Sequence, residues 1–170
     1  MTAARAVVMR RETNQLKSIE SFLKGKRIAL VGASRNPKDF SRVVLRELLA
    51  RGYDIVPVNA AEGTLEIEGR QAYRRLSDVP GAVDGALVMT PASVTAAIAG
   101  EILASGVPRM SLHRGVGPGA VNPRAVDLLR ERGVDVVSGE CPLMFLEGEK
   151  GAHRLHAWIR RLLGTYPRAA

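Results

Sequence analysis

Arg27-Ile28-Ala29-Leu30-Val31-Gly32-Ala33-Ser34-Arg35-Asn36-Pro37-Lys38 is the stretch on which the fold turns. A short apolar run that stops at a glycine and opens into a polar, cationic loop reads as a buried strand with a functional exit. Phe40, Val44, Leu45, Leu48 and Leu49 follow at helical spacing on one face, and Gly52 ends that helix. Asp54-Ile55-Val56-Pro57-Val58 is a second strand whose proline lies near its end, where a missing donor matters least. The alternation Leu65-Glu66-Ile67-Glu68-Gly69 suggests a short edge hairpin.

Further along, Asp84 to Met89 reads as a third strand. Thr90-Pro91 and Ser93 offer helix starts, and Val94, Ala97, Ile98 and Ile102 are assigned to one face of a helix ending at Gly106. Pro108 to Leu112 is a fourth, weaker strand. A Gly/Pro-rich loop then leads to Asn122-Pro123, a cap followed by proline at the first helical position. Val126 and Leu129 continue that helix to Gly133, and Val134 to Val137 is a fifth strand. Strands alternating with helices predict an α/β fold, a doubly wound parallel five-stranded sheet. Two flanking helices are expected in addition. Thr13 would cap one carrying Leu16, Ile19, Phe22 and Leu23, and Leu155, Trp158, Ile159, Leu162 and Leu163 would pack the other onto the sheet. The expected organisation is an N-terminal helical extension (1–26), a body (27–145) and a C-terminal amphipathic helix (146–170).

The 170 residues suit one domain of ordinary size. The longest charge-free apolar stretch, Gly85 to Gly100, has 16 residues and contains Pro91, too short and broken for a membrane span. No apolar run near the start resembles a signal segment, so a cytoplasmic location is expected. A lone cysteine, Cys141, excludes an internal disulfide framework and a multi-cysteine zinc site. The net charge of +8 raises the question of nucleic acid. Residues 1–27 carry seven basic and two acidic side chains, and residues 150–170 carry five basic and no acidic ones. The body between holds 13 basic and 15 acidic residues. Basic ends around an acidic body, with 4% aromatic residues to stack on bases, disfavour a nucleic-acid partner.

Ligands of open parallel sheets bind beyond the carboxyl ends of the strands. Here those ends are Gly32 to Lys38, then Pro57-Val58-Asn59, Thr90-Pro91 and His113-Arg114-Gly115. The first joins a strand to a helix start, where backbone amides can meet a phosphate. Gly32 permits close approach, Ser34 and Ser41 add hydroxyls, and Arg35, Lys38 and Arg42 add positive charge. The dinucleotide fingerprint Gly-x-Gly-x-x-Gly is not met, because Ser34 and Pro37 follow Gly32 in the places of the later glycines. Val58-Asn59 also lacks the acid that would take a ribose hydroxyl, so NAD is disfavoured. No P-loop signature is present.

Val31-Gly32-Ala33-Ser34-Arg35-Asn36-Pro37-Lys38 with Phe40-Ser41, then Gly52-Tyr53 and Pro57-Val58-Asn59, resembles the small stand-alone CoA-binding protein family. Gly69, Tyr73, Leu76, Val83-Asp84, Thr90-Pro91, Gly133 and Cys141-Pro142 continue the likeness. That family in turn resembles the CoA-binding domain of the succinyl-CoA synthetase alpha subunit and of NDP-forming acyl-CoA synthetases. The resemblance spans about residues 25–145 and implies a Rossmann-like fold with strand order 3-2-1-4-5. It implies that Gly32, Ala33, Ser34 and Arg35 hold the CoA phosphates, with Lys38 and Ser41 at the following helix start. Pro57, Val58 and Asn59 would lie beside the adenosine part, and Thr90 and Pro91 along the pyrophosphate and pantetheine path. Two places depart from the family pattern: Leu112-His113-Arg114-Gly115 lacks its tryptophan and glutamine, and Gly139-Glu140 stands where a basic residue precedes Cys-Pro.

Other candidates have plainer readings. His113, with no carboxylate beside it in sequence, is expected to be a polar loop residue and not a general base. His153 and His156 are three apart but make a weak metal site alone. Cys141 reads as a small buried hydrophobe. The function expected is non-catalytic binding of coenzyme A or acyl-CoA. The alternatives are an accessory subunit of a separate acyl-CoA ligase or transferase and, less favoured, an NADP-dependent oxidoreductase. A second copy of the chain or a ligase subunit are the protein partners the resemblance allows.

Overall fold

Strands four or five residues long and mostly buried form the five-stranded sheet, and glycines at positive φ end the helices between them. A computed structural model describes residues 15–64, 66–114 and 119–146. In chain order these form helix α1 (15–24), β1 (Arg27–Val31), α2 (Phe40–Ala50), β2 (Asp54–Val58), β3 (Glu66–Ile67) and β4 (Arg70–Gln71). A 3-10 turn (Leu76–Asp78) follows, then β5 (Gly85–Val88), α3 (Ala92–Ala104), β6 (Arg109–Leu112), α4 (Pro123–Glu131), β7 (Asp135–Ser138) and a second 3-10 turn (Pro142–Phe145). Thr13, the C-terminal stripe with its Leu155 and Trp158, and His153 and His156 lie outside the described residues.

The strands run parallel in the order β2-β1-β5-β6-β7. Period-two alternation divides the core. Ile28, Leu30, Ile55 and Leu87 pack with Ile19 and Phe22 of α1 and Val44, Leu45 and Leu48 of α2. Ala29, Val31, Val88, Met110 and Leu112 pack on the other face with Ile102 of α3 and Val126 and Leu129 of α4. Phe22 lies so close to Gly85 that a Cβ there would be 2.9 Å from its ring. The sheet is thus doubly wound, and Asn122 caps α4 by accepting from the Ala125 amide, with Pro123 opening the helix.

The strand order corrects the 3-2-1-4-5 expected from the resemblance. Among the five long strands the third, β5, lies beside β1 and not outside β2. The chain leaving β2 contains no crossover helix. It forms the two-stranded β3–β4 hairpin as a separate sheet, then touches β2 through one parallel bridge, Val58 to Tyr73. Tyr73 donates its amide to the Pro57 carbonyl and accepts from the Asn59 amide, at 3.0 and 2.9 Å. Pro57 therefore points its missing donor toward an edge that is barely paired.

Two helix faces also differ from expectation. In α2, Val44, Leu45 and Leu48 are buried, but Phe40 is 41% exposed. In α3 the buried residues are Thr95, Ala99 and Ile102, whereas Val94 and Ala97 are exposed. That helix is small and apolar nearly all round, so its periodicity selects no face.

At the amino ends of the strands, the Asp84 carboxylate accepts the Arg27 and Lys26 amides at 3.0 and 2.8 Å. These hydrogen bonds, the Arg27 amide's first, hold its carboxyl below the usual value. A depressed folded pKa adds stability above the unfolded value of about 4, and that stability is lost as pH falls through the folded pKa. In thermal unfolding from about pH 5 to about pH 2, the wild type is expected to lose more Tm below about pH 4 than Asp84→Asn. Parallel curves would show that Asp84 does not set the acid limb.

Candidate functional site

The sheet order places β1 and β5 side by side while their connections leave in opposite directions, β1 toward β2 and β5 toward β6. A crevice opens between such exits. The chain bends sharply as it leaves β1: the Gly32 and Ala33 amides both donate to the Val58 carbonyl, at 2.9 and 3.2 Å. Gly32 has φ +90°, and a Cβ on it would lie 2.9 Å from Thr90 Cγ2, 3.0 Å from the Thr90 amide nitrogen and 3.1 Å from the Met89 carbonyl carbon. The exits of β1 and β5 therefore pass at backbone distance, which only glycine permits.

Beyond Gly32 the loop is held by its own short polar side chains. The Ser34 amide donates to Ser41 Oγ at 2.9 Å, and Ser34 Oγ accepts from the Asn36 amide at 3.2 Å. Asn36 Oδ1 accepts from the Lys38 amide at 3.0 Å. Asp39 caps α2, its Oδ1 accepting from the Ser41 amide at 2.8 Å and from Ser41 Oγ at 2.6 Å. Ser41 is 2% exposed, a strut between Ser34 and Asp39. Most amides of the loop are thus engaged within it. Among the described residues, the Arg35 amide has no protein acceptor, and Arg35 and Lys38 extend their side chains from exposed positions without a carboxylate partner.

Asn59, at the exit of β2, donates Nδ2 to the Ala33 carbonyl at 2.6 Å and accepts the Ala61 amide on Oδ1 at 2.8 Å. Both polar ends of its side chain go to backbone, so it ties the β2 exit to the β1 loop. Val58 and Pro57 are buried behind it. At the β5 exit Thr90 Oγ1 lies 2.9 Å from Thr95 Oγ1, which also donates to the Pro91 carbonyl at 3.3 Å. Pro91 is exposed and Thr90 half-buried. The residues named from sequence, Gly32, Ala33, Ser34, Arg35, Lys38, Ser41, Pro57, Val58, Asn59, Thr90 and Pro91, therefore gather around three neighbouring strand exits.

Three features go beyond the expectations drawn from sequence. His113 is buried (7% exposed) and not a solvated loop residue; its ring stacks on Phe40, with centroids 5.4 Å apart and planes 29° apart. The pair joins the exits of β1 and β6, on either side of β5. Asp39 brings a carboxylate to the helix start at which a phosphate was expected; an acidic residue just before an apolar helical stripe is the signal for it. Glu68, from the hairpin, accepts from Arg42 Nε at 2.9 Å and from Arg46 Nη1 at 2.7 Å. The Arg46 hydrogen bond first, and those of Arg42 after it, hold the Glu68 carboxyl below its usual value. Cys141 is buried. Among the described residues no group of three His, Cys, Asp or Glu side chains could hold a metal ion, and no helix is long and apolar enough to cross a membrane.

The comparisons with known proteins agree with this geometry. The chain is 30% identical over 122 residues to the uncharacterized protein YneT of Bacillus subtilis, covering 72% of this chain and 86% of that one. It is 32% identical over 94 residues to the alpha subunit of ADP-forming acetate–CoA ligase I of Pyrococcus furiosus. That match covers 53% of this chain but spans only 20% of the ligase subunit. A solved structure, a hypothetical protein from Pyrococcus horikoshii OT3, superposes with a TM-score of 0.67 at 26% identity, over 75% of this chain and 86% of that one. The family model described as CoA binding domain matches residues 26–147. With more than half of its length matched and its loops at the exits of a doubly wound sheet, the chain belongs to the CoA binding domain family.

Proposed function

We propose that this protein binds coenzyme A or acyl-CoA at the exits of β1, β2 and β5, and that it does so without catalysing a reaction itself. The observation that carries the reading is the Gly32–Lys38 loop at the adjoining exits of β1 and β5, with an open amide at Arg35 and, among the described residues, two exposed cations without a carboxylate partner. Phosphates suit such a loop through charge-assisted hydrogen bonds. A dinucleotide suits it less, because Asn59 stands where a ribose acid would be and both ends of its side chain are already engaged. The unit that carries the binding is residues 27–145, in keeping with the family match.

The absence of turnover rests on what faces the crevice. Backbone amides, hydroxyls and cations bind anions, while the Asp39 carboxylate is committed to Ser41 at the start of α2 and the His113 ring is buried against Phe40. Cys141 is buried on the α1/α2 side of the sheet. The likeness to a ligase alpha subunit favours a second reading, in which a separate protein supplies the chemistry to an acyl-CoA held here. The test is calorimetry of the pure protein with CoA, dephospho-CoA and NAD. CoA is expected to bind and NAD not. Because Arg35 and Lys38 are exposed, the 3′-phosphate should contribute only about 0.2–1 kcal/mol, at most about fivefold in Kd, and less at high salt. NAD binding with CoA silent would overturn the reading. Acyl-CoA turnover by the protein alone would overturn its non-catalytic part, and turnover only with an added ligase subunit would select the second reading.

A further inference from the structure

Glu68 and Gly69 form the two-residue turn of the β3–β4 hairpin, with φ of +52° and +71°. Such turns favour Asn-Gly, because both central residues need positive φ. Glu68 is the one non-glycine residue at positive φ among the described residues. A glutamate kept in that conformation invites the question of what its carboxylate does.

The carboxylate reaches α2 and holds two guanidiniums. Arg42, whose side chain is only 12% exposed, donates Nε to Glu68 at 2.9 Å and Nη1 to the Ser34 and Arg35 carbonyls at 3.2 and 3.4 Å. Arg46 Nη1 donates to Glu68 at 2.7 Å and approaches the Pro37 carbonyl at 3.5 Å. Both arginines therefore grip the outer, carbonyl side of the β1–α2 loop. The peptide between Ser34 and Arg35 is planar and trans, so fixing the Ser34 carbonyl fixes the Arg35 N–H in the opposite direction. That N–H is the open amide of the loop.

We infer that Glu68 is a positioning residue: it holds Arg42 and Arg46 against the loop carbonyls and thereby aims the Arg35 amide at the anion in the crevice. The inference rests on the proposed CoA site for its ligand, but not for the brace itself. Arg42 is a strut in this arrangement and not a phosphate ligand, although its position in sequence suggests the latter. The hairpin, which adds no strand to the main sheet, acquires a role as the anchor of the loop.

Glu68→Asn separates the brace from the turn, because it removes the carboxylate and gives the hairpin its preferred residue pair. Thermal stability is expected to change little, the better turn offsetting the two lost ion pairs. In the unliganded variant the backbone order parameter of the Arg35 amide, from NMR relaxation, is expected to fall from about 0.85 toward about 0.6. The Kd for CoA is expected to rise about threefold to tenfold, the net worth of one hydrogen bond. Glu68→Gln, which keeps the length and an acceptor without the charge, should fall between in both readouts. An unchanged Arg35 order parameter in Glu68→Asn would overturn the inference whatever CoA does. So would an unchanged Kd where the wild type binds CoA. A wild type that ignores CoA, with the order parameter lowered in the variant, would remove the ligand reading and leave the brace standing.

Discussion

Gly32→Ala is expected to destabilise the protein by about 2–5 kcal/mol and to weaken CoA binding by more than about tenfold. Two terms add. A side chain at φ +90° is strained by about 1–2 kcal/mol. Its Cβ would also stand 3.0 Å from the Thr90 amide nitrogen and 3.1 Å from the Met89 carbonyl carbon. These are backbone atoms, so relief requires the exits of β1 and β5 to move apart, at an overpacking cost of about 1–3 kcal/mol. The same movement would widen the crevice. Urea unfolding checks the first effect and calorimetry the second. An unchanged unfolding midpoint would mean that the two exits do not meet at Gly32.

Ser34→Asp acts on the site with little effect on the fold. The Ser34 hydroxyl accepts from the Asn36 amide, and an aspartate can accept the same i+2 hydrogen bond. Stability should change by less than about 1 kcal/mol. Binding should not survive as well. Two unit charges about 4 Å apart near a protein surface repel by about 4 kcal/mol, and about a third of that is already tenfold in Kd. CoA affinity is therefore expected to fall at least about tenfold, with the deficit shrinking as salt is added. Unchanged affinity at low salt would move the phosphates away from this loop. Together the two substitutions separate a residue expected to shape the proposed site from one expected to face its ligand.

The strands and the exits were legible because their signals are local. Ile28 to Val31, Ile55 to Val58 and Ala86 to Met89 are too apolar and too short for anything but buried strands, and each ends where small or polar residues begin. Asn122-Pro123 announced a helix start that the structure keeps. The helix faces were less legible where the pattern was weak. Val94 and Ala97 share helical spacing with Ile102, yet α3 turns Thr95 and Ala99 inward, since a helix with alanine and other apolar residues on most sides carries little to choose between faces. Phe40 belongs to an apolar stripe by spacing, but at the first residue of α2 it lies past the edge of the core and meets His113 instead.

By itself, the sequence determined a parallel α/β architecture, the position of the polar β1–α2 loop and the lack of a carboxylate at the exit of β2, all properties of residues near one another along the chain. Only the tertiary structure decided the rest. Strand order depends on which edge of β1 each connection returns to, and the chain after β2 returns to the far edge because it forms a hairpin and one bridge where a crossover helix would build another strand. Asn59 faces Ala33, Phe40 faces His113, and Glu68 faces Arg42 because the sheet and hairpin bring distant segments together. A side chain's partner at such separations leaves no periodic trace in sequence. Whether a cation serves a ligand or a carbonyl is settled by direction in space, and spacing along the chain carries no information about it.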